Sequence, residues 1–73
     1  MTEDPFEAAV QDFEEAARQL ELAVQHLRTT AQHFRDHNVP RGCAHAFAAQ
    51  GHMLRAQQYM DKRAMVHAEK AVP

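Results

Sequence analysis

Read from Phe6 in alternating steps of four and three residues, the chain gives Val10, Phe13, Ala17, Leu20, Val24, Leu27, Ala31 and Phe34, and every one of these positions is apolar. Steps averaging about 3.5 residues are the period of a coiled-coil seam, not of a strand. With Val10 at heptad position a, the larger residues Phe6, Phe13, Leu20, Leu27 and Phe34 fall at d. The pattern predicts one long helix. Asp4-Pro5-Phe6-Glu7 marks its start, with an N-cap acid, a proline in the first turn and a glutamate three residues after the cap. Arg28, His33, Arg35 and His37 crowd its last turns, where cations suit the helix dipole. Asn38 favours the left-handed conformation that closes a helix, and Pro40 opposes continuation.

These signals place helix 1 at about residues 5–37, a turn at 38–42 and helix 2 at about 41–71, with Thr2 to Asp4 frayed ahead of them. So short a link sends the second helix back along the first. The expected fold is all-α: a single domain, residues 1–73, forming an antiparallel, coiled-coil-like two-helix hairpin. The expected alignment turns the apolar ladder of helix 1 toward helix 2, setting Phe34 opposite Ala44, Leu27 opposite Gly51, Val24 opposite Leu54, Leu20 opposite Gln58 and Phe13 opposite Met65. Large residues then face small ones, which fills a core without voids. Along one flank Glu14 approaches Lys62 and Glu21 approaches Arg55. Gln58 and Asp61 fall in the seam, where buried polar residues fix register and oligomer state.

A second stripe of small and adaptable residues lies on the other flank: Ala16 and Ala23 on helix 1, and Ala46, Ala49, Met53, Ala56, Met60 and Ala64 on helix 2. A lone hairpin has no use for it. The expectation is that this flank is an association surface, pairing two hairpins into a four-helix bundle. Chain length strengthens that view. At 73 residues with one cysteine, the chain has a small core and no internal disulfide, so self-association is the expected source of extra stability.

Charge is divided along the chain. Acids predominate in residues 1–40 and bases in 41–73, within a net charge of −2, so the two halves attract each other. Overall acidity and a single exposed-looking aromatic, Tyr59, weigh against a nucleic-acid partner. Arg41, Arg55, Lys62, Arg63 and Lys70 keep a nucleic-acid-binding hairpin as a lesser alternative. No leader pattern and no apolar run of about 18 residues is visible, so a cytoplasmic protein with no membrane partner is expected.

Six histidines raise the question of metal. His33 and His37 are one turn apart and Cys43 lies just across the link. Two imidazoles and a thiolate suit zinc or another transition metal, so a metal-binding bundle is the main alternative; otherwise no cofactor is expected. His26 with His52 and His33 with His45 also match by residue number across the hairpin. The heptad assignment puts the members of each pair on opposite flanks, so they are expected to stay apart. Glycine-rich phosphate loops, nucleophile elbows and spaced carboxylate pairs are absent from the sequence. The expected function is therefore non-enzymatic: a homodimeric protein-interaction, regulatory or adaptor module, with a further protein as partner.

The predicted hairpin is similar in shape to the small plasmid RNA-binding helical hairpins and to the secreted hairpins built around a Trp-x-Gly turn. The first implies a basic face across a dimer. The second implies a tryptophan at the turn, where this chain reads Val39-Pro40-Arg41-Gly42. The sequence therefore assigns no family.

Overall fold

The computed structural model describes residues 4–73, so the expected fraying of Thr2 and Glu3 lies outside the described residues. Two helices, α1 (Glu7–Arg35) and α2 (Val39–Lys70), pack against each other in antiparallel fashion. Among the described residues there is no strand. α1 begins slightly later than the sequence signals suggest. The Asp4 carboxylate accepts from the Phe6 amide at 2.8 Å and the Asp4 carbonyl accepts from the Glu7 amide at 3.1 Å, so Pro5 and Phe6 form a turn that feeds the helix.

The link is tighter than expected, and two residues exchange roles. His37, not Asn38, takes the left-handed conformation, at φ 59°. The Asn38 amide reaches back to the His33 carbonyl at 2.7 Å and the His37 amide to the Phe34 carbonyl at 3.1 Å, the paired bonds of a Schellman closure. Asn38 then serves the next helix: its side-chain oxygen accepts from the Arg41 amide at 3.3 Å. Pro40 sits inside the first turn of α2, where a missing N–H costs nothing.

The faces turned inward are the main correction to the sequence reading. α1 presents Ala9, Asp12, Ala16, Gln19, Ala23, His26, Thr30 and His33, the ladder displaced by one residue from the apolar one. α2 presents Gly42, His45, Ala49, His52, Ala56, Tyr59, Arg63 and Val66, displaced by two residues from the expected set. A one-residue displacement rotates a helix by about 100°. Thr30 donates to the Gly42 carbonyl at 3.1 Å, and steps of seven residues from that contact bring Ala23 level with Ala49 and Ala16 level with Ala56. These four alanines are the buried apolar core, Ala49 having no exposed surface at all.

The physical reason is size. The Cα atoms extend 54 Å along the hairpin but only 12 Å across its thinnest direction, so there is one layer and no interior beyond the line of contact. Small residues on that line let the backbones approach closely, and interaxial distance depends on the side chains at the contact. Gly42 shows the limit. A Cβ there would stand 2.6 Å from the Phe34 ring, whereas one at Gly51 would meet nothing within 4 Å.

Three substitutions test the seam by chemical denaturation. Ala49→Leu is expected to destabilise by about 1–3 kcal/mol through overpacking. Gly51→Ala is expected to stabilise by about 0.5–1 kcal/mol, because helix propensity improves with nothing to displace. Gly42→Ala is expected to gain less, since Phe34 must move to admit the methyl group.

Candidate interaction face and histidine ladder

With the seam occupied by small and polar residues, the apolar ladder of α1 is left outside. Phe6, Val10, Phe13, Leu20, Val24, Leu27 and Phe34 keep between 43% and 72% of their surface exposed. On a helical projection they fall to one side of the buried line through Asp12, Ala16 and Ala23. Because α2 runs the other way, its residues on the matching side are Ala46, Met53, Met60 and Ala64, and the Phe34 ring over Gly42 joins the two. Phe47, Leu54 and Met65 continue the apolar surface around the far side of α2 and are likewise exposed. Cys43, Ala46, Phe47 and Gln50 line a shallow apolar hollow within it.

The residues expected to form an association flank therefore divide. Ala16, Ala23, Ala49 and Ala56 are buried inside the single hairpin and are not available to a partner. Ala46 and Met53 are half-buried, while Met60 and Ala64 are exposed and belong to the edge of the apolar face. The expected polar layer is displaced as well. Gln58 and Asp61 are exposed, and Asp61 accepts from Gln57 at 2.7 Å on its own helix. Among the described residues the buried polar ones are Asp12 and Gln19, which the rotation of α1 carries into the seam.

Asp12 holds the open end of the hairpin together. Lys62 donates to its Oδ1 at 3.2 Å. Arg63 Nε lies 2.9 Å from Oδ2 without hydrogen-bond alignment, so that contact is an ion pair alone. The flank pairs expected from the sequence, Glu14 with Lys62 and Glu21 with Arg55, do not form: the ion pairs among the described residues are these two and Arg18 with Glu15. Arg18 grips Glu15, with Nε donating to Oε2 at 3.0 Å. That hydrogen bond, with a second from Gln19, holds the Glu15 carboxyl well below the usual carboxylate range, at about 2.

Toward the turn the seam is lined with imidazoles. His33 stacks on His45 with ring centroids 5.3 Å apart, and His26 stacks on His52 at 5.4 Å. These are the two pairs that match by residue number. Their expected separation depended on the wrong seam and disappears with it. Between them, His26 Nδ1 and His45 Nδ1 are 3.0 Å apart. At the inner end His52 Nδ1 lies 2.7 Å from Gln19 Oε1, while Gln19 Nε2 donates to Glu15 at 3.2 Å. Gln19 thus turns its oxygen to His52, which must donate.

The trio considered for zinc is not gathered by this arrangement. His33 belongs to the imidazole ladder, His37 is exposed in the left-handed turn, and Cys43 is exposed beside the apolar hollow. Among the described residues no three His, Cys, Asp or Glu side chains are grouped to hold an ion. No helix among them is long and apolar enough to cross a membrane. Compared with known proteins, the chain matches no family model, no curated protein and no solved structure.

Asp12→Asn, which leaves the half-buried Arg63 without its counter-charge, is expected to cost about 1–3 kcal/mol in urea denaturation. Glu14→Gln, at an exposed position with no ion pair among the described residues, is expected to stay within about 0.5 kcal/mol of the parent.

Proposed function

We propose that this protein is a non-enzymatic association module, in which the exposed Phe/Leu/Val face of one hairpin packs against the same face of a second copy to form a four-helix bundle. The observation that carries this reading is the solvent exposure of the whole α1 ladder in the isolated chain. A ladder spaced for helix packing over the length of α1 finds a matching set of ridges and grooves in a copy of itself. Each large apolar side chain that leaves water contributes about 1.5–3 kcal/mol, and a two-fold interface makes every contact twice.

Two further features favour a second copy as occupant. The hairpin exposes 5970 Å². A compact monomer of 8.3 kDa exposes about 4,600 Å². The excess of about 1,400 Å² comfortably covers the roughly 800 Å² that each partner contributes to a standard interface. Charge also fits. Glu14 and Glu21 have no ion-pair partner within the described hairpin, and α2 is the basic helix, so placing α1 of one copy beside α2 of the next offers them cations. In this reading the dimer acts by presenting its outer surfaces to another macromolecule, in the cytoplasm.

Sedimentation equilibrium at micromolar concentration tests the proposal. The parent protein is expected to be dimeric. Leu27→Glu, which places a charge in the middle of the face, is expected to be monomeric, while Gln11→Glu, exposed on the opposite side of α1, is expected to remain dimeric. A monomeric parent, or a Leu27→Glu variant as associated as Gln11→Glu, would overturn the reading and hand the apolar face to a foreign partner.

A further inference from the structure

The imidazole ladder supports an inference that does not depend on dimer formation. Its rungs alternate between the helices in the order His33, His45, His26, His52, with ring centroids 5.2–5.4 Å apart at each step. All four rings are half-buried between α1 and α2. At the central step two Nδ1 atoms meet at 3.0 Å. Such a bond needs one ring to donate and the other to accept, so the pair cannot keep it with both rings protonated. Two N–H groups would then point at each other, and two like charges would share a site partly shielded from water.

Among the described residues no carboxylate is ion-paired with a ladder imidazole. From α1, Gln19 is neutral and bound to His52, Glu15 is engaged by Arg18 and Gln19, and Asp12 by Lys62 and Arg63. Asp36, three residues beyond His33, accepts from Gln32, and His37 follows one turn after His33. From α2, Arg41 stands one turn before His45, Tyr59 is neutral, and Arg55 lines the same shallow hollow as His52. We propose that the ladder makes the hairpin an acid-sensitive clasp, closed while its imidazoles are neutral and released as they become charged. The sign follows from proton counting. The central bond tolerates a proton on one of its two rings but not on both, so an unfolded chain can bind one more proton at this pair than the closed seam does, and stability falls as acid drives the second ring toward its charged form.

Thermal melting of the full chain, followed by circular dichroism at about pH 8 and about pH 5.5, decides the matter. The parent is expected to melt at least about 5 °C lower at the acidic pH. The double variant His26→Gln/His45→Gln, whose amides bond without titrating, is expected to lose less than half as much. His67→Gln, exposed near the far end of α2, is expected to behave as the parent does. Should the double variant not fold, His26→Gln alone gives the same test, because one imidazole then faces a neutral amide. A parent whose melting point does not move between the two pH values overturns the proposal, as does a ladder variant that falls as far as the parent.

Discussion

Two helices alone have a single line of contact, and what that line will accept determines the rest of this structure. In a bundle of three or more helices a large side chain at the interface is enclosed by several neighbours. In a hairpin it meets one partner and still faces water on both sides. Alanine and glycine suit the line better, because they shorten the distance between the backbones and bring the main chains themselves into contact. Ala16, Ala23, Ala49 and Ala56, with Gly42 under the Phe34 ring, follow that logic.

The arrangement separates two tasks that most small domains combine. Mutual recognition of the helices is carried by polar groups at fixed heights: Thr30 on the Gly42 carbonyl, the imidazoles, Gln19 on His52, and Asp12 between Lys62 and Arg63. These contacts are directional, so they set the register without contributing much net stability. The hydrophobic surface, which is the larger source of free energy, is held outside. The hairpin is thus specified before it is strongly stabilised.

Much of this was legible in the sequence, and the failure has a single cause. The extent of α1, a short link and the antiparallel return follow from the period of the apolar residues, from Asp4 and Pro5, and from Asn38 to Gly42, although the link closes earlier, at His37. Which face turned inward did not follow, because two ladders one residue apart share the same period. Ranking them by hydrophobicity chose Val10 and Phe13, whereas closeness of approach selects Ala9 and Asp12. The same ranking puts Gln58 and Asp61 in the seam in place of Asp12 and Gln19, and it separates the His26–His52 and His33–His45 pairs that match by residue number. The cue that discriminates is present in the sequence: alanines at seven-residue intervals on both helices, Ala9, Ala16 and Ala23 against Ala49 and Ala56, matched in spacing and in size.

The order of polar groups along the seam gives its two ends different sensitivities. At the open end the contacts are between full charges, and Lys62 stands largely in solvent, so dissolved salt weakens them by screening. Near the link the contacts are between imidazole rings, and salt has little hold on them. Ionic strength therefore acts at Asp12 and its two cations, and proton concentration acts near the turn. A single two-helix seam is in this sense a pair of fasteners in series, each undone by a different property of the surrounding solution.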